Sequence, residues 1–274
     1  MSDIGRLRIA ALQMTSTPRV ADNLKIVDEL AAEAAARGAQ LVALPEYYPI
    51  MGSSEDAKVY AREPFAAGGN SGPIQSHLKA LARRHGLWVI GGSIPLEAST
   101  PDKILNSMLV YTPTGELAAR YDKIHLVGFQ KGVERYDEAA SIEPGHEIVA
   151  FDAPFGRVGL SICYDLRFPE LYRAMGRPDL IVVPAAFTET TGRAHWEILL
   201  RARAIENQCY VLAVGQGGQH ESGRMTHGNS MIIDPWGEIL DRLPKGQGVV
   251  IADFDRERIR EVRASLPALD HRTM

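Results

Sequence analysis

Only two cysteines, Cys163 and Cys209, occur in 274 residues. Two are too few for a disulfide framework, and their spacing is not that of a CxxC redox or zinc motif. Long apolar runs are missing as well. None approaches a membrane span, and the first residues, MSDIGRLRIA, hold no apolar segment of signal-peptide length. We therefore expect a cytoplasmic protein with reduced thiols and no membrane contact. A basic excess is also lacking: the formal charge is −4 and the pI about 6.1, which argues against nucleic acid as a partner. No GxxxxGK[ST] loop or HExxH helix is present, and the eight histidines form no i, i+4 pair, so phosphate-loop and zinc-helix chemistry have no support. The glycines around Gly215 follow an apolar run without a helical pattern behind them, so a dinucleotide fold is not indicated. No metal and no organic cofactor is expected.

What is present is an ordinary globular composition, 45% hydrophobic and 23% charged. Short β-branched runs (LRIAALQM, QLVALPEY, LWVIGGSIP, RVGLSICYD, DLIVVPAAF, CYVLAVGQ, GVVIADFD) alternate with amphipathic helical patterns at 21–39, 71–86, 168–176 and 193–208, and a charged one at 256–265. Ser71 is the expected N-cap of the second helix and Gly86 its C-terminal stop. Strand pairs around Pro113–Gly115 and Asp234–Gly237 read as hairpins. Mixed connections exclude a purely parallel doubly wound sheet and favour a layered α/β sandwich. Without a Pro/Gly/Ser linker, residues 1–274 read as one domain.

The stretch VGLSICYDLRFPEL places Cys163 at the end of an apolar strand, among charges and just before a helix opened by Pro169. Alone, such a cysteine is most simply a small core residue. At a strand-to-helix corner it can instead be a nucleophile, with its thiol pKa lowered by the helix N-terminus and the Tyr164 N–H aimed at a developing oxyanion. A nucleophile needs a base and further donors. Glu46, in VALPEYYP, and Lys123, in ARYDKIHL, stand at comparable strand ends, although each alone reads as a surface charge. Cys209 reads as core, Trp196 as core or interface, and His125 and His195 as structural or pocket residues. Arg167 reads as half of an ion pair bracing the cysteine corner. Thr188, Thr190, Thr191 and Arg193 follow a strand end as substrate contacts or as helix-capping residues, and Tyr48 lines the entrance or the core.

The segments LPEYYP, YDKIHL and ICYDLRFPEL, in that order, closely resemble the three motifs of the nitrilase superfamily of carbon–nitrogen hydrolases. The resemblance runs over nearly the whole chain. It implies a four-layer αββα sandwich of the nitrilase type, with Glu46 as general base, Cys163 as nucleophile and Lys123 as oxyanion stabiliser or proton donor. A second acid is implied between the lysine and the cysteine; Glu138 best matches its place, with Glu134 the nearby competitor. The resemblance also implies a homodimer or homotetramer, paired through helix 194–207 and the helix of the cysteine corner.

The stretch from Ala186 to Leu240 is most similar to the branch that hydrolyses deaminated glutathione, and to the related omega-amidases acting on 2-oxoglutaramate. Asn229 stands where a histidine is common, and the loop HLVGFQKGVERYDE, expected at the pocket, is longer and more charged than in omega-amidases. The expected activity is hydrolysis of a small carboxylate-bearing amide through a cysteine thioester with release of ammonia. Deaminated glutathione is the first substrate expected, with 2-oxoglutaramate, N-carbamoyl compounds and nitriles as alternatives. N-acyl transfer and a catalytically silent scaffold are further readings, opposed respectively by the lack of membrane segments and by the intact Glu46, Lys123 and Cys163.

Overall fold

The fold follows from apolar alternation on two sheets. In a computed structural model, which describes residues 5–52, 56–65, 72–132 and 134–273 (of residues 56, 131 and 134–136 the backbone alone), one sheet has eight strands. Its main order is Gly248–Asp255 (β16), Arg6–Gln13 (β1), Leu41–Ala43 (β2), Trp88–Ile90 (β3), Ile104–Tyr111 (β5) and Ile94–Glu97 (β4). Leu117–Asp122 (β6) and Ile142–Glu143 (β9) also bond to β5. The second sheet runs Ala150–Ala153 (β10), Gly156–Leu160 (β11), Leu180–Ala185 (β12), Tyr210–Gly215 (β13), Ser230–Ile233 (β14) and Ile239–Leu243 (β15). A separate ribbon pairs Gly128–Lys131 (β7) with Glu134–Asp137 (β8).

Each large sheet has a parallel heart, β1–β2–β3 in one and β11–β12–β13 in the other, flanked by antiparallel strands. Residues alternate between faces along a strand, and the first sheet is apolar on both. Ile9, Ala11, Leu41, Ala43, Met108 and Val110 face the second sheet, where they join Val158, Leu212 and Ile232 in one core. Ala10, Leu12, Val42, Val89 and Leu109 face outward, under helices Val20–Ala36 (α1) and Pro73–His85 (α3). On the outer face of the second sheet, Leu171 and Tyr172 of Pro169–Ala174 (α4) and Leu200 and Ala204 of Glu197–Asn207 (α6) complete the layers. The result is the expected αββα sandwich.

Short helices Asp56–Tyr60 (α2) and Glu189–Thr191 (α5) and the C-terminal Arg256–Ser265 (α7) lie between or after these layers. A parallel bridge between Met14 and Gln216, with the Gly217 N–H donating to Met14 O at 2.8 Å, joins the two sheets at the carboxyl ends of β1 and β13.

Three local expectations change. LWVIGGSIP is two strands, because the chain must pass from one side of β5 to the other, and Gly91 and Gly92 make the crossing. The HLVGFQKGVERYDE loop contains the β7–β8 ribbon, which its charged sequence did not advertise. The expected helix 194–207 is regular only from Glu197, after a π-helical turn at Gly192–Trp196. Ser71 lies outside the described residues; Gly72 occupies the N-cap position of α3, Pro73 follows, and Gly86 ends the helix in the left-handed conformation at φ 63°.

Gly92 has φ +50°, and a Cβ there would lie 2.2 Å from the Pro45 carbonyl oxygen. Gly92→Ala is therefore expected to cost about 2 kcal/mol or more, by combining left-handed strain with a backbone clash. Urea unfolding of the two proteins measures it, and an unchanged midpoint would remove the close approach from the account.

Candidate active site

The carboxyl ends of the parallel strands converge at one rim, where ligands of α/β sheets commonly bind. Glu46 stands three residues beyond β2, Cys163 three beyond β11, and Ala186 directly follows β12. Lys123 directly follows β6.

Four side chains expected from the sequence meet here. Lys123 Nζ, wholly buried, donates to Glu46 Oε1 at 2.9 Å and to Glu138 Oε1 and Oε2 at 2.9 and 2.8 Å. Asn106 Nδ2 donates to Glu46 Oε1 at 3.1 Å, and the Ala186 N–H to Glu46 Oε2 at 2.9 Å. Glu138 is held by the Val127 N–H at 2.8 Å and by the Tyr47 hydroxyl at 3.4 Å. Glu138 thus lies against Lys123; the side chain of Glu134, its competitor in the sequence, lies outside the described residues.

Cys163 is 6% exposed and adopts φ +52°, a conformation unusual for a residue with a Cβ. The strand ends at Leu160, earlier than RVGLSICYD suggested, and the cysteine opens a 3₁₀ turn over Cys163–Arg167. Asp165, fully buried, braces this elbow. It accepts from the Ile162 N–H at 2.8 Å, the Tyr121 hydroxyl at 2.6 Å and the His125 N–H at 3.1 Å, and meets His125 Nδ1 at 2.7 Å. The His125 ring stacks on Phe168 with centroids 3.7 Å apart. The Tyr164 N–H belongs to the first turn of that 3₁₀ helix, where backbone donors have no intrahelical acceptor.

The charges couple. Burial pushes the Glu46 carboxyl up, but Lys123, a hydrogen bond from the Cys163 thiol and the charge of Lys58 hold it below the usual glutamate value. Burial favours the neutral amine of Lys123, yet Glu138 and Glu46 keep the ammonium form far above the ordinary lysine value. Burial and then the negative charge of Glu46 push the Cys163 thiol well up, against the pull of Lys123. A thiolate-favouring helix N-terminus was the expectation. The short α4 begins six residues after the cysteine, and burial beside a carboxylate outweighs it. The resting set is a thiol, a carboxylate and an ammonium.

Glu46, Glu138 and Cys163 open on a cavity of about 460 Å³. Thr188 and Thr191 line it, and the Thr188 hydroxyl also caps the following turn, accepting from the Thr191 N–H at 3.3 Å. Thr190 and Arg193 are not on the wall; Arg193 is exposed and paired with Glu189 at 3.0 Å. Tyr48 is fully buried in the outer core beside α1 and α3 and lines no entrance.

Arg167 corrects another expectation. It forms no carboxylate pair among the described residues but lines the cavity, donating Nη1–H to His195 Nδ1 at 3.2 Å over the rings of Tyr164 and Phe187. The charged loop does reach the wall, through Val127, Phe129 and Asp137.

Trp196 is core, its indole N–H donating to Asn229 O at 2.8 Å, and Cys209 is fully buried, with its thiol pKa pushed up by that burial. Asn229 lies off the cavity wall at φ 53°, where asparagine is tolerated, and its Oδ1 accepts from Arg242 Nε at 2.8 Å. The sequence reading missed Asn106, Asp165, the Ala186 backbone and the cavity cations Lys58 and Arg224. Asn106 had left a signal, a polar residue inside the apolar strand ILNSMLVY. The Ala186 N–H could leave none. Among the described residues, no cluster of three histidine, cysteine or acidic side chains could hold a metal ion, and no helix is long and apolar enough to cross a membrane.

Comparison with known proteins places this geometry. The pattern of the Carbon-nitrogen hydrolase family matches residues 8–264. A deaminated glutathione amidase of Synechocystis is 42% identical over 270 residues, covering 96% of this chain and 97% of that one. The omega-amidase NIT2 of Xenopus tropicalis is 36% identical over 267 residues, covering 96% and 94%. The crystal structure of Saccharomyces cerevisiae Nit3, described as a member of branch 10 of the nitrilase superfamily, superposes with a TM-score of 0.89 at 28% identity, covering 98% of this chain and 97% of that one. The chain thus belongs to the carbon–nitrogen hydrolase family, and it is an amide-hydrolysing enzyme of the nitrilase superfamily, in the branch of the deaminated glutathione amidases and omega-amidases.

Proposed function

We propose that the enzyme hydrolyses deaminated glutathione through a thioester on Cys163. The observation that carries the chemistry is that Cys163 and Glu46 line one cavity, the Glu46 carboxylate being shared with Lys123 at 2.9 Å. The resting thiol is protonated and Glu46 is ionised, so attack on the amide carbon is coupled to transfer of the thiol proton to Glu46. The oxyanion is met by the Lys123 ammonium and the Tyr164 N–H. Glu46 then passes its proton to the departing nitrogen. Water enters, gives a proton to Glu46, attacks the thioester, and the acid leaves as the thiol is restored. Glu138, at 2.8 and 2.9 Å from Nζ, fixes the lysine rather than the substrate.

The substrate reading is supported by the relatives named deaminated glutathione amidase and by the cations on the cavity wall. Deaminated glutathione is glutathione with a keto oxygen in place of its free amine. Cleaving its γ-amide gives 2-oxoglutarate and cysteinylglycine. The leaving group is then a dipeptide amine, whereas ammonia, the product first expected, belongs to the smaller 2-oxoglutaramate. Arg167, four residues after the nucleophile and without a carboxylate partner among the described residues, is suited to the 2-oxo acid end.

Three measurements test this reading. Cys163→Ala is expected to lose at least about 10³-fold in kcat, and intact-mass analysis of wild type quenched during turnover is expected to find an acyl adduct on Cys163. Retained turnover in the variant would sink the mechanism. Because the Glu46 charge raises the thiol pKa, Glu46→Gln should lower it: thiolate absorbance near 240 nm appears at lower pH than in wild type, while turnover is lost. Thiolate appearing at higher pH would contradict the coupling. Arg167→Leu should raise KM for deaminated glutathione by about tenfold or more, the cost of one charge-assisted contact; steady-state kinetics reads it, and an unchanged KM removes Arg167 from recognition.

A further inference from the structure

The bond to be cut lies between two halves of the substrate, and the site treats them differently. The acyl half stays on Cys163, in the turn that also carries Arg167. The amine half leaves past Glu46, which supplies its proton. Glu46 Oε2 is anchored by the Ala186 N–H at 2.9 Å, and the carbonyl of the same residue accepts from Arg224 Nη2 at 3.0 Å. One residue therefore ties Glu46 and a second cavity arginine together.

The loop that brings Arg224 there is held at several points. Gln219 bridges to Met225 and Thr188 to Thr226, and the His220 N–H donates to Arg224 O at 2.9 Å. His220 is buried, with Nδ1 2.9 Å from Ser16 O and Nε2 2.9 Å from the Thr226 hydroxyl. A carbonyl only accepts, so Nδ1 carries a proton. The backbone that projects Arg224 is thereby joined to the segment after β1. A guanidinium presents five N–H donors in a planar fork that matches a carboxylate.

We infer that Arg224 forms a subsite for a carboxylate on the departing amine half of the substrate. This makes the enzyme selective for acidic, dipeptide-like leaving groups over ammonia or neutral amines. The inference rests on the substrate reading above and extends it: two arginines, one on the nucleophile side and one on the base side, match the two carboxylates at opposite ends of deaminated glutathione. A substrate that releases ammonia has no group for Arg224 to hold.

The test uses the full chain as wild type, Arg224→Leu and Arg224→Lys. Each is assayed on deaminated glutathione and on its C-terminal glycinamide, which lacks only the terminal charge, following 2-oxoglutarate release. Wild type is expected to prefer the acid by about tenfold or more in kcat/KM, mainly through KM. Arg224→Leu should erase that preference and Arg224→Lys should keep part of it. The preference is a ratio within one protein, so partial misfolding does not imitate its loss. No preference in wild type, or the same preference in wild type and Arg224→Leu, overturns the subsite, as does an equal loss on both substrates. A wild-type enzyme that cleaves neither compound fails earlier and overturns the substrate reading, and the subsite with it.

Discussion

One buried ammonium organises the site. Lys123 has no water contact, and burying a lone charge costs several kcal/mol unless it is paired and hydrogen-bonded. It is paired on both sides, by Glu46 from the end of β2 and by Glu138 from the turn after β8. Each carboxylate is in turn held by a backbone N–H, of Ala186 and of Val127. Four chain segments far apart in sequence thus have their relative positions set by one charge. Two carboxylates share one ammonium, so Lys123 offsets only part of the negative charge beside the thiol. Burial and the Glu46 charge together push the Cys163 thiol well above its ordinary pKa, so the cysteine rests protonated.

Cys163 is constrained in the same manner but by a different device. Asp165 accepts four nearby donors, from Ile162, Tyr121 and His125, and holds the turn in which Cys163 takes its left-handed conformation. Backbone strain of this kind persists where the surroundings over-determine it, and it commonly marks functional turns. Glu46 has a counterpart: the next residue, Tyr47, has φ 54°, and its N–H donates to the Ser93 hydroxyl at 3.0 Å. Glu46 and Cys163 both stand on sharp turns at the ends of parallel strands, fixed from behind by a buried polar side chain.

Much of this was legible in the sequence. The three charged or nucleophilic residues stood at the ends of apolar strands, and strand ends can be read from periodicity. The layered fold was legible for the same reason, because apolar runs and amphipathic helices alternate. What could not be read were properties that arise only when strands meet. Cys163 was expected to be acidified by a helix; its actual neighbours are a carboxylate and an apolar core. Tyr48 differs from Tyr47 by one step along the chain, yet one phenol faces Glu138 and the other faces α1 and α3, a choice made by a positive φ that no residue type announced. Arg167 and Arg224 sit in loops where composition does not say which way a long side chain turns.

The bridge between Met14 and Gln216 carries a consequence for how the sandwich is joined. It joins the sheets at the end where Glu46 and Cys163 stand, and Gln216 adds bonds to the Ser16 hydroxyl and to Glu46 O at 2.7 and 3.0 Å. Further bonds join the sheets from Ser230 N–H to Gln13 Oε1 and from Ile251 N–H to Asp241 Oδ2, both at 2.9 Å, so the turn that carries Glu46 is tied into a seam running between the two layers.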